Sequence, residues 1–201
     1  MTTFILPSIP GEFQWKNQPV DWKVGPDNSL TIVAGERTDW FIDPAGNYAQ
    51  DSAPSALFVP PDANFIVSAK IVVNFVSAFD AGVLQLRESD ERWAKLCFEY
   101  SPQQQPMIVS VVTRGTSDDC NSVSIDGREV YLRVAVTPGT IAFHYSRDGA
   151  YWHLVRYFTL GKMGQVRVGF SAQSPTGQQC TAVFSDIRFR IGVLKDNRNG
   201  E

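Results

Sequence analysis

The side chains with most to offer chemically sit on one parity of a short run. In Trp93–Tyr100, residues Trp93, Lys95, Cys97 and Glu99 alternate with Ala94, Leu96, Phe98 and Tyr100. Residues i and i+2 of an extended chain share a face, so the second set is a core and the first lines up an aromatic ring, a cation, a thiol and a carboxyl. A plain solvent face rarely carries Trp, and such a row suits the grip on a small polar ligand. The same parity argument in neighbouring runs adds Gln85, Arg87, Ser110, Arg133, His144, Arg167, Ser171 and Gln173. The competing reading is a solvated sheet face laced with cross-strand ion pairs worth fractions of a kcal/mol each.

Other constellations are thinner. Glu99 and Asp118 are the candidates for an acid/base pair, although alternation alone does not fix their separation. Asp39, between Thr38 and Trp40 ahead of an irregular segment, has two readings: acceptor for a ligand hydroxyl with Trp40 stacked beside it, or a cap on local backbone N–H groups. The two histidines, His144 and His153, fall at odd separation on different strands, so they should point to opposite faces. Asp118, Asp119 and Asn121 offer oxygen ligands of the kind calcium prefers, but Ser117-Asp118-Asp119-Cys120-Asn121 reads first as a turn. Nothing in the sequence lowers the pKa of Cys97 as a nucleophile requires. No cofactor is expected: neither a phosphate loop nor a dinucleotide fingerprint occurs.

The elements that must position these groups are strands. Gly82–Glu88, Trp93–Tyr100, Met107–Arg114, Ser122–Ile125, Glu129–Thr137, Thr140–Ser146 and Gln165–Ala172 are among many short apolar-rich runs, and no segment sustains a 3.6-residue period. Turn chemistry separates them, most clearly at Pro138-Gly139 and Asp148-Gly149. This spacing predicts an all-β sandwich or jelly roll with little or no helix. The Pro-containing segment Asp43–Pro61 is a long excursion, either the rim of a site or a cover over a sheet edge. No linker divides the chain, so residues 1–192 read as one domain and the polar residues 193–201 as a frayed tail.

Composition excludes several classes. The 201 residues are 43% hydrophobic with a formal net charge of −3 and carry no Lys/Arg block, which argues against a nucleic-acid partner. The start MTTFILPSIPGEF lacks a basic n-region, and no apolar stretch approaches the roughly 18 residues needed to span a bilayer. The three cysteines show no close spacing. These features lead us to expect a cytoplasmic protein, with a Cys120–Cys180 bridge open only if the chain is exported.

Thr38-Asp39-Trp40-Phe41, Asp51-Ser52-Ala53-Pro54, Asp80-Ala81-Gly82-Val83, Trp93-Ala94-Lys95-Leu96-Cys97-Phe98-Glu99 and Val109-Ser110-Val111-Val112-Thr113 with Ser117-Asp118-Asp119 follow one another in this order. The series resembles a domain family of unknown function that includes the fungal regulation-of-enolase protein, from roughly Phe13 to Arg190. The resemblance implies a concanavalin A-like jelly-roll β-sandwich of two antiparallel sheets, related to the accessory sandwich of family 43 glycoside hydrolases. In such folds the open face of a concave sheet usually binds sugar. The expected ligand set is then Asp39, Trp40, Arg87, Trp93, Lys95, Glu99, Ser110, Arg133 and His144, for a carbohydrate or sugar-phosphate-like ligand, possible alternatives being a factor that acts on a metabolic enzyme such as enolase, or a glycan-active enzyme. Catalytic jelly rolls carry a Glu-x-Asp-x-Glu-like run on a strand; here Glu88-Ser89-Asp90-Glu91 comes nearest and sits in a turn.

Overall fold

Alternating patterning is realised as strands throughout. The computed structural model describes residues 2–162 and 164–201, and no helix occurs among them. One sheet holds, in spatial order, β1 (Thr3–Ile5), β2 (Glu12–Lys16), β7 (Ser55–Phe58), β16 (Arg167–Gln173), β9 (Ala81–Arg87), β10 (Arg92–Tyr100), β11 (Pro106–Arg114) and β12 (Thr116–Ser124). The second holds β15 (His153–Phe158), β14 (Thr140–Ser146), β13 (Glu129–Thr137), β8 (Phe65–Asn74), β17 (Cys180–Ile191), β4 (Leu30–Ala34) and β3 (Asp21–Val24). A small ribbon, β5 (Trp40–Ile42) with β6 (Ala49–Asp51), belongs to neither. All the strand pairings are antiparallel.

The core lies between the two sheets, where their inward parities meet. Phe13 packs on Phe58 and Phe170 at ring-centroid distances of 5.0 and 5.9 Å, and Phe170 on Phe184 of the other sheet at 4.9 Å. Each buried ring of this kind contributes roughly 1.5–3 kcal/mol relative to an exposed one. Gly82 marks a close approach: a Cβ there would stand 2.6 Å from Ile71 Cγ2, 3.0 Å from Val73 Cγ2 and 3.1 Å from Ala182 Cβ, all in the facing sheet. Gly82→Ala should therefore cost about 1–3 kcal/mol by overpacking. Urea denaturation measures it, and an unchanged midpoint would mean that the sheets separate freely at this point.

Three features depart from the sequence reading. Ser117–Asn121 is not a turn; the chain reverses earlier, at Gly115 (φ 82°), and Thr116–Ser124 continues as edge strand β12. Ahead of β7, the Asp43–Pro61 excursion contains a further strand, β6, which pairs with β5 just before it as a ribbon on the face of the first sheet rather than along an edge. The tail is not frayed: Leu194 is buried with Ile66, Ala135 and Ala142 on the outer face of the second sheet. Gly200 is needed there, since it has φ 81° and a Cβ would stand 2.5 Å from Arg133 Nη2. Cys97, Cys120 and Cys180 are all free thiols.

Candidate functional site

Strand register turns the outer face of the first sheet into cross-strand rows. Gln173, Ala81, Glu99 and Met107 form one row; Gly169, Gln85, Lys95, Val111 and Asp119 form another. Between them run Ser171, Val83, Cys97, Val109 and Asn121, and beyond them Arg167, Arg87, Trp93, Thr113 and Ser117. The β5–β6 ribbon covers one end of this face. Trp40 is buried against Trp93 with their centroids 6.3 Å apart, and its Nε1 donates to Ala53 O (2.9 Å) and Ser55 Oγ (3.0 Å). The Arg87 guanidinium lies 4.3 Å from the Trp40 ring centroid and pairs with Asp90. Trp40, Trp93 and Arg87 are thus seated inside the protein, and the indole faces expected to stack on a ligand are engaged in packing.

The uncovered end of the face is a cleft of about 410 Å³, lined by Lys95, Glu99, Asp119 and Gln173 from the sheet and by Asp39, Phe41, Tyr48 and Gln50 from the ribbon, with Arg37, Phe79 and Thr176 at its rim. Its volume falls in the range of about 300–1,000 Å³ typical of small-molecule sites. Lys95 is buried, and its ammonium donates to Asp39 Oδ1 at 2.8 Å and Gln173 Oε1 at 2.9 Å. Gln173 Nε2 in turn donates to Phe79 O at 3.2 Å, which fixes the amide orientation. Asp39 Oδ1 also accepts from its neighbour's backbone, Trp40 N, at 2.7 Å. Asp39 therefore caps the ribbon and lines the cleft at once.

Burial sets the protonation states. It pushes Glu99 up to about 8 despite the opposing charge of Lys95, so at neutral pH Glu99 is mostly a neutral acid. Burial also raises Asp119, again against Lys95. For Lys95 burial works downward, but the Asp39 carboxylate, through its charge and its hydrogen bond, leads the opposing effects and the ammonium persists. Burial drives the Cys97 thiol well up, which removes it as a nucleophile. The cleft thus offers a fixed cation, a neutral O–H donor, carboxyl and amide oxygens, and the Phe41 and Tyr48 rings, which stack at 5.8 Å.

Two lining residues adopt left-handed backbone: Phe79 (φ 69°) and Arg37 (φ 52°). A bulky residue with positive φ is strained unless its surroundings impose it. Around Phe79 they do. Buried Asp80 accepts from Val76 N (3.0 Å), Ser77 N (2.8 Å) and Ser174 Oγ (2.7 Å), while Phe79 N donates to Tyr100 O at 2.6 Å.

Several expected site residues lie elsewhere. Ser110 pairs with Leu96 and so faces the inter-sheet core. Arg133 and His144 are on the second sheet, where the tail covers them: Arg133 Nη2 donates to Gly200 O (2.8 Å) and His144 Nε2 to Asn197 O (2.8 Å). Burial, together with Arg133, lowers His144 to about 4. Asp118 points away from Glu99 and pairs with Arg156 at 2.7 Å. The carboxyl that does share Glu99's face is Asp119, and the two line one cleft, where the Asp119 charge helps to raise Glu99. Asp118 and Asp119 emerge on opposite faces of β12, and no group of three or more His, Cys, Asp or Glu poised for a metal occurs among the described residues. Asp119 was legible from the turn: a reversal centred on Gly115 pairs Thr113 with Ser117 and Val111 with Asp119. Asp39, Lys95 and Glu99 of the expected set meet in the cleft, whereas Phe79, Arg37, Phe41, Tyr48 and Gln50 carry no comparable sequence signal.

A family model described as a protein of unknown function, DUF1349, matches residues 15–191. The chain belongs to the DUF1349 family. Comparison of this DUF1349 chain with curated protein sequences returns no match. Among solved structures it is similar to a functionally unknown protein from Saccharomyces cerevisiae, with 24% identity, a TM-score of 0.81, and coverage of 90% of this chain and 97% of that one. It also resembles the GH43 protein BlXynB from Bacillus licheniformis at 16% identity and a TM-score of 0.71, covering 90% of this chain but 37% of that one. The carbohydrate binding module CBM66 from Bacillus subtilis follows at 10% identity and 0.53, with 88% and 94% covered. At such identities the DUF1349 domain shares a fold with these proteins, the jelly-roll β-sandwich, and only that.

Proposed function

We propose that the cleft binds a small neutral polyol, a sugar above all, without turning it over. The observation that carries this reading is the buried neutral acid Glu99 in one cleft with the Lys95–Asp39–Gln173 cluster, beneath a rim of Phe41 and Tyr48. Such a site matches hydroxyl donors and acceptors on one side and the C–H faces of a sugar ring on the other. It holds little uncompensated charge, so a strongly charged ligand gains nothing from it. The CBM66 likeness supports a sugar as the ligand, though at the level of fold.

Calorimetric titration against neutral mono- and disaccharides tests the reading. One member should bind saturably and weaken as pH rises through about 8, where Glu99 loses its proton. Glu99→Gln keeps a neutral donor and should bind with that pH dependence removed, whereas Glu99→Ala should lose affinity at least tenfold. Silence across the panel overturns the proposal and returns weight to a protein partner such as a metabolic enzyme.

A further inference from the structure

A second cavity, of about 540 Å³, opens on the outer face of the other sheet, remote from the first cleft in topology. Its polar lining is Ser8, Ser68, Arg133, Arg188 and Arg190, joined by Trp152, and no carboxylate lines it. Arg188 is compensated at the rim, donating through Nε and Nη2 to Asp186 at 2.9 Å each. Arg133 and Arg190 have no ion-pair partner among the described residues. Arg133 is the unusual one: it is 7% exposed, its guanidinium carbon sits 4.2 Å from the Trp152 ring centroid, and its Nε is buried without an acceptor. The Ser8 hydroxyl is likewise buried and unpaired.

A buried cation without a counter-charge is costly, and a planar guanidinium is built to meet an oxyanion. We propose that this cavity is a binding site for a tetrahedral oxyanion, a phosphate or sulfate group either free or at the end of a small organic molecule. Arg133, oriented by Trp152 and by its bond to Gly200 O, supplies the fixed donors; Arg190 supplies the second charge from the mouth, and Ser8 a hydroxyl. The electrostatics agree with the geometry. Burial first, and Arg190 second, pull Arg133 down to about 10, and an anion between the two arginines opposes both effects. The site stands independently of the sugar reading, since it shares no residue with that cleft.

The test is titration calorimetry of the full chain at low ionic strength with inorganic phosphate, sulfate and a hexose monophosphate. Saturable one-site binding is expected, weakened at least tenfold in Arg190→Ala, whose side chain is exposed and whose loss should leave the melting curve intact. Arg133→Met should abolish binding; because that change also releases the Gly200 contact, Arg190→Ala is the deciding variant. Tighter binding of the hexose monophosphate than of phosphate would mark an organic ligand, and equal affinities a free oxyanion. Binding that Arg190→Ala leaves unchanged, a response that chloride reproduces, or no binding at all overturns the proposal. Glu99→Ala should leave oxyanion binding untouched, which separates failure here from failure of the sugar site.

Discussion

Lys95→Met should lower the unfolding free energy by about 3 kcal/mol, the lower end of what breaking one side of a buried ion pair costs. The ammonium is the shared donor of the cleft: without it Asp39 Oδ1 keeps only Trp40 N, and Gln173 Oε1 loses its partner. Asp39 retains 16% side-chain exposure, so water softens the loss and places it near that lower end. The same change should abolish ligand binding in the cleft. The double variant Lys95→Met/Asp39→Asn should recover much of the stability, because replacing both members of such a pair by neutral groups is often nearly free. Chemical denaturation of the two single variants and the double variant measures the coupling. A single-variant cost below about 1 kcal/mol, or strict additivity in the cycle, would contradict the assigned role of Lys95.

Glu99→Gln has the opposite sign. The Glu99 carboxyl moves from its ordinary 4.5 to about 8 on folding, so the folded state holds a proton that the unfolded chain has released. The stability tied to that proton is fully present below pH 4.5, declines between about 4.5 and 8, and is gone above. At about 1.4 kcal/mol for each pH unit the ceiling on the loss is about 5 kcal/mol. Gln titrates nowhere in this window. The variant should match the parent near pH 4.5 and exceed it by a few kcal/mol at pH 8. Asp119 is also raised by burial, and its slope of the same sign remains in both proteins. Urea curves at pH 5, 7 and 8.5 decide the matter: parallel stability profiles would mean that Glu99 ionises freely in the folded protein.

Architecture was the legible part of this chain, and the reason is physical. Alternation in Trp93–Tyr100 reports which side of a strand is wet, and the Lys95 and Glu99 side chains sit on the parity it assigned. Val109–Val112 carries no such contrast, because apolar residues fill both parities there. Ser110 looked like the outward member and in fact opposes Leu96 in the core. Arg133 and His144 have outward parity on their own strands, but a face list does not say to which of two sheets a strand belongs. Trp40 and Trp93 were read as free ring faces because a sequence does not disclose that Ala53 and Val111 close over them. Asp119 was hidden by the choice of turn: placing it at Ser117–Asn121 rather than at Gly115 removed the register that exposes it.

The β5–β6 ribbon forms one wall of the cleft. It is pinned by Trp40, by Ile42 N donating to Ser117 Oγ at 2.9 Å, by the Lys95–Asp39 contact, by Asn17 Nδ2 donating to Asp51 O at 2.6 Å, and by the Thr38–Ser174 bridge at its foot. Its residues Ala49–Asp51 are exposed. A two-stranded unit outside both sheets still opens at a lower free energy than the sheets beneath it. Its amides should therefore exchange with solvent deuterium ahead of those in β9 and β10, and whatever fills the cleft should slow them by the factor that its concentration and dissociation constant dictate. The wall would then report occupancy of the site while the sandwich behind it stays silent.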